Sequence, residues 1–141
     1  GTGLILMKDL KQLTEYYYNN GNYNCAETII YAANECYGLE INEEDMKMFG
    51  GFGSGMYAGL VCGALAAGVA VLSKLIIEDK AKDNADEVRR IINGFVRTFK
   101  ERLQGTSCRE LRPLHFSVEE RCLKTVLLAA EVLDEKVKEV I

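Results

Sequence analysis

Apolar residues recur every three or four positions in several stretches of this chain, and no run of strand length alternates between apolar and polar. Leu6, Leu10, Leu13 and Tyr17 place one apolar face on a first helix that ends near Asn20-Gly21. Cys25, Ile29, Ala32 and Cys36 form a stripe on a second helix, stopped at Gly38. Glu43 to Phe49 predicts a short third helix, broken by Gly50-Gly51-Phe52-Gly53-Ser54-Gly55. The fourth helix, about Met56 to Ile77, is apolar on every side, and Gly59, Gly63 and Ala67 leave a small-residue groove along it. The fifth has the clearest periodicity: Val88, Ile91, Ile92, Phe95, Val96, Phe99 and Leu103 share a face, and Gly105 ends it. Ser117-Val118-Glu119-Glu120 has the form of a capping box and opens a sixth helix, with Cys122, Val126, Ala129, Leu133 and Val137 on its buried side. The only proline, Pro113, falls in the connection before it.

These patterns predict an all-α, single-domain bundle of five to six helices around a small-residue-rich central helix. The domain is expected to span residues 1–141, with 1–6 outside the fold and Met7 a candidate native start. There is no internal repeat and no low-complexity linker. Met56 to Leu72 carries no charge, but it is short of the ~20 residues a membrane span needs. Its weight is glycine and alanine, so a buried central helix is the expectation and no membrane span is.

A chain of 141 residues with 48% hydrophobic content is long enough to bury about 68–70% of its unfolded surface in one core. Disulfide staples are not needed for that. The net charge of −4 argues against a general nucleic-acid binder, which needs a basic surface. Charge is uneven: Arg97 to Arg112 holds five basic and two acidic residues, leaving the rest of the chain at −7. Leu4-Ile5-Leu6-Met7 is too short for a signal core and has no basic start. The expectation is therefore a cytoplasmic protein with reduced thiols, for which redox or metal chemistry precedes structural disulfides.

Five cysteines bear on that chemistry. Cys25 lies in Asn24-Cys25-Ala26-Glu27, Cys62 in Gly59-Leu60-Val61-Cys62-Gly63-Ala64, and Cys108 in Ser107-Cys108-Arg109-Glu110-Leu111. Gaps of 37, 46 and 14 residues separate Cys25, Cys62, Cys108 and Cys122, so no local loop chelates anything, and if these thiols act together folding must gather them. Cys25 is placed in the first turn of its helix, with Asn22 or Asn24 as cap, where free amides and the helix dipole favour a thiolate. Cys108 has Arg109, Arg112 and His115 nearby in sequence. Cys122 is expected about five residues past its cap, and Cys62 in mid-helix, where electrostatics favours neither. Cys36 reads as an ordinary buried cysteine, about 16 Å along the helix from Cys25. The glycine run at 50–55 lacks the preceding strand and the Lys-Ser/Thr pair of a phosphate loop; its bare amides suit donation to sulfur, and the plain alternative is a turn that needs positive φ angles. His115, the sole histidine, completes no triad, and no Cys-x-x-Cys-His marks covalent haem.

With these residues in view, the chain resembles the redox-active C_GCAxxG_C_C family. The resemblance rests on Asn24-Cys25-Ala26-Glu27, the glycines of 50–55, Cys62-Gly63-Ala64, Ser107-Cys108-Arg109-Glu110-Leu111 and Cys122, in family order from about residue 8 to 135. One position departs: the final glycine of Cys-Gly-Ala-x-x-Gly is Ala67 here, followed by Gly68. The resemblance implies redox activity and selects Cys25, Cys62, Cys108 and Cys122 as candidate catalytic residues and metal ligands, leaving Cys36 aside. Gly53, Gly55, Gly59 and Gly63 are candidate cofactor-binding positions.

The leading expectation is a small redox protein whose four cysteines converge near the start of the fourth helix. They would bind an iron–sulfur cluster or form a reversible disulfide. The cluster stands slightly ahead, because a dithiol leaves Cys62 or Cys122 unexplained. A separate redox partner protein is implied. The alternatives are a non-redox helical interaction module, with the fourth-helix groove serving a homodimer, and a structural zinc protein, which dispersed single ligands disfavour.

Overall fold

The structure is a computed structural model that describes residues 8–141; Leu6 and the expected boundary at residues 1–6 lie outside the described residues. The chain is all-α. Seven α-helices form among the described residues: α1 Leu10–Asn20, α2 Cys25–Tyr37, α3 Glu43–Met46, α4 Gly63–Ile76, α5 Ala85–Leu103, α6 Cys108–His115 and α7 Leu123–Val140. Short 3-10 segments at Lys47–Phe52 and Ala81–Asn84 extend α3 and lead into α5.

Periodicity located the long helices because each buries one stripe. On α5, Ile91, Phe95, Phe99 and Leu103 face inward, and Gln104 ends the helix in a left-handed conformation just before Gly105. On α7 the buried side carries Val126, Ala129, Leu133 and Val137 as expected. On α1 the inward aromatic is Tyr18 rather than Tyr17, which sits half-buried and donates to Glu35 at 2.6 Å.

The central helix is α4, which packs against α2, α5 and α7, while α1 lies across α2 and α7. Its small residues let these neighbours close in. A Cβ at Gly68 would lie 2.5 Å from Phe95 Cζ, so the ring occupies the space that glycine leaves. Of the expected groove positions, Gly63 faces Cys25 and Ala26, Ala67 is buried, and Gly59 lies before the helix against Arg109. Phe95, Phe99, Leu72, Val71, Val126 and Leu133 are fully buried in the core, each contributing roughly 1.5–3 kcal/mol by leaving water. No described helix is long and apolar enough to cross a membrane.

Three expectations about helix boundaries are corrected. The fourth helix does not begin at Met56: Ser54, Gly55, Met56 and Tyr57 all have positive φ, and the α-helix starts only at Gly63. The residues from Cys108 to His115, expected as a connection, form an eight-residue helix with Pro113 inside it. The capping pattern at Ser117 forms only in part. Ser117 Oγ accepts from the Glu120 amide at 3.0 Å, but Arg121 turns left-handed (φ 55), and α7 starts at Leu123.

Candidate functional site

The three boundary corrections share one consequence. Cys25 and Cys108 are the first residues of α2 and α6, and Cys62 and Cys122 are the residues just before α4 and α7. Cys62 is therefore not in mid-helix, nor is Cys122 five residues past a cap. Asn24 starts α2 through a full capping box: its Oδ1 accepts from the Glu27 amide at 3.0 Å, and Glu27 Oε1 accepts from the Asn24 amide at 3.0 Å. Its Nδ2 also donates to the Gly50 carbonyl at 2.8 Å, fixing the glycine loop against the helix start. Ser107 starts α6 in the same way, with Glu110 as its reciprocal partner.

Two backbone devices bring distant segments together. The Cys62 amide donates to Thr106 O at 2.8 Å and the Cys108 amide donates to Leu60 O at 2.7 Å, so the approaches to α4 and α6 are stapled side by side. Before them runs the left-handed turn of Ser54 to Tyr57. For its non-glycine residues this conformation costs roughly 1–2 kcal/mol each, strain of a kind that clusters at functional sites. Ser54, in this turn, lines the same cavity as Cys25, and its amide is among those that pull the Cys25 thiol down.

Cys25, Cys62, Cys108 and Cys122 all line one cavity of about 320 Å3, with Tyr18, Ser54, Gly63, Arg112 and Arg121 among its other walls. None of the five cysteines is in a disulfide. The Cys25 thiol is pulled down to about 6 by a hydrogen bond from Cys62, against the opposing effect of burial, and further by the amides of Ser54, Ala26 and Gly63. Cys62, only 4% exposed, is pushed well up as the donor in that bond, and by burial; the amides of Leu65 and Ala64 oppose the shift. Burial raises Cys108, and the Cys25 charge adds to this while Arg112 counters it. Cys122 is raised by burial and by its cysteine neighbours, while Arg112 and the Tyr18 hydroxyl oppose the shift. One thiolate and three thiols result.

Cys36 does not line this cavity. It sits half-buried at the far end of α2, where burial, then Asp134, Asp9 and Glu35, push its thiol up to about 11. His115 is also absent from the lining; its Nε2 lies 2.8 Å from Leu103 O. Of the four singled-out glycines only Gly63 lines the cavity, and the group that approaches it is Cys25: a Cβ there would lie 2.8 Å from Sγ. A Cβ at Gly53 would clash with Asn24, and one at Gly55 with the Leu60 backbone and the Cys108 Cβ. Gly59 receives the Arg109 guanidinium. Sequence reasoning passed over Tyr18, whose hydroxyl accepts from the Cys122 amide at 3.0 Å. It also passed over Arg121, whose position depends on a positive φ angle that nothing in its residue type announces, whereas Ser54 falls in the 50–55 run whose amides were expected to face sulfur.

Among the described residues, no three His, Cys, Asp or Glu side chains are gathered closely enough to hold a metal ion. The four sulfurs share a cavity without forming a coordination shell. As arranged, no three of them close on a single metal ion such as zinc, whereas Cys25 and Cys62 are each the largest influence on the other's acidity.

Neither a curated protein nor a solved structure matches the chain. A family match covers residues 23–136, which takes in all four cavity cysteines, and the family is described as "Putative redox-active protein (C_GCAxxG_C_C)". The chain belongs to the C_GCAxxG_C_C family.

Proposed function

We propose that this chain is a small thiol–disulfide redox protein in which Cys25 attacks and Cys62 completes the disulfide. The observation that carries the reading is that Cys25 and Cys62 line one cavity, the Cys25 sulfur standing against Gly63 beside Cys62, with each thiol the largest influence on the other's acidity. A thiolate is the nucleophile in exchange, and Cys25 is held as one near neutral pH. Attack on a substrate disulfide forms a mixed disulfide and releases one substrate thiolate. Cys62 then gives up its proton and attacks the Cys25 sulfur, releasing the second. Two electrons pass from the protein to the substrate.

Cys108 and Cys122 supply two further thiols on the same cavity. They are suited to reducing the Cys25–Cys62 disulfide by exchange, which leaves the oxidised bond on the second pair. An external dithiol, protein or small molecule, returns the protein to its reduced state. This assigns work to all four cysteines, which a lone dithiol does not.

The test is to add one equivalent of a disulfide oxidant to the reduced chain, block free thiols in acid, and map the bonds by peptide mass. The expected first product is the Cys25–Cys62 bond. An unreactive Cys25, or a first bond that omits it, overturns the proposal. Four thiols on one cavity also favour a second reading, a cluster-holding protein with these four cysteines as its ligands. Anaerobic purification followed by an absorption spectrum and iron, sulfide and zinc analysis decides it. Colour with iron and acid-labile sulfide would establish the cluster, and colourless zinc the structural site.

A further inference from the structure

Apart from the Cys25 thiolate, the charged groups on the cavity wall are all positive. Its lining contains two guanidinium groups, Arg112 and Arg121, and not one Asp or Glu, in a chain whose net charge is −4. Neither arginine makes an ion pair or a side-chain hydrogen bond among the described residues, although six other ion pairs form on the surface. Each is positioned by an aromatic ring instead. The Arg112 guanidinium stands 4.2 Å from the Phe116 ring centre, and that of Arg121 stands 5.4 Å from the ring centre of Tyr18. Both Phe116 and Tyr18 line the same cavity. Two cations are thus held beside the thiols with their hydrogen-bonding forks unengaged, in the planar geometry that receives a carboxylate through two parallel bonds. The space is small: about 320 Å3 is at the lower end of the roughly 300–1,000 Å3 usual for ligand cavities.

We propose that this cavity binds a low-molecular-mass disulfide bearing carboxylates, which Arg112 and Arg121 hold with its sulfurs against Cys25. The inference rests on the thiol–disulfide reading above and names the substrate class for that site. Arg112 and Arg121 act as binding residues, and the reacting atoms are sulfurs only. The substrate S–S bond breaks, the Cys25–Cys62 bond forms, and one substrate half leaves as thiolate and the other as thiol. The charge preference runs against what Cys25 alone would impose, since a bare thiolate attracts cationic disulfides. A preference for anions is therefore a signature of the arginines.

The test uses the reduced full chain and three disulfides of closely matched length: 3,3′-dithiodipropionate, bis(2-hydroxyethyl) disulfide and cystamine, which are dianionic, neutral and dicationic. The readout is the rate of Cys25–Cys62 bond formation by acid quench and mass analysis. The dianion is expected to react at least threefold faster than the neutral compound, as two solvent-exposed ion pairs allow, and the dication slowest. Added salt should shrink the ratio. Arg112→Gln together with Arg121→Gln should bring the dianion-to-neutral ratio down to one or below. Arg109→Gln, at a residue whose guanidinium bonds Ala58 O outside the cavity lining, should keep it. Equal rates for the three compounds, or cystamine fastest, overturns the inference while leaving the thiol chemistry standing. Failure of all three to oxidise Cys25 overturns both.

Discussion

Cys25 and Cys62 carry the same side chain, and their surroundings give them opposite protonation. The difference comes from which sulfur receives donors: Cys25 receives the Cys62 thiol and three amides, while Cys62, once it donates, faces a neighbouring negative charge. The alkylation rate of Cys25 should therefore rise as pH climbs through about 6 and level off well below the ordinary thiol value of 9.0. Two substitutions separate donation from disulfide chemistry. Cys62→Ser keeps a hydroxyl to donate and should leave the midpoint low while abolishing the disulfide. Cys62→Ala removes the donor and should move the midpoint up. Iodoacetamide labelling followed by intact mass, from pH 4 to 10, reads both. An unchanged midpoint in Cys62→Ala would assign the effect to the amides alone. Cys36→Ser should leave the Cys25 profile as it is, because its sulfur lies at the other end of α2, outside the cavity lining.

At the scale of elements, the site is built from helix beginnings, and beginnings are where sequence is least explicit. The stripes of α2, α5 and α7 were readable because many residues repeat the same signal. The start of α4 was not: Met56 to Cys62 is as apolar and uncharged as the helix that follows, so periodicity extends straight through it. Only backbone angles reveal the left-handed turn. Short α6 was hidden for another reason. Leu111 is its only buried residue, and Pro113 forgoes one backbone hydrogen bond, so it reads as a connection. The cysteines themselves were legible as a set; their shared position at helix starts was not. Gly63 tests this geometry. A Cβ there would lie 2.6 Å from Phe52 O as well as 2.8 Å from the Cys25 sulfur, and backbone yields little. Gly63→Ala should destabilise the fold by about 1–3 kcal/mol through overpacking and raise the Cys25 thiol. Gly51→Ala, with no atom within 4 Å of its added methyl group, should be neutral or stabilise by up to ~1 kcal/mol. Denaturant melts of the two variants side by side give the comparison, and matched midpoints would remove the steric argument.

For the whole molecule, the opposed acidities of Cys25 and Cys62 have an electrochemical consequence. The reduced pair holds one proton near neutrality, so making its disulfide withdraws two electrons and liberates a single proton. The midpoint potential should then fall by about 30 mV for each pH unit above about 6, and by about 60 mV per unit below it, where both sulfurs are protonated. Equilibration against glutathione buffers between pH 5 and 8 would trace this bend. A uniform steep line across that range would mean that two protons always accompany the electrons. Through that bend, the acidity of the surroundings sets how readily this protein surrenders its electrons.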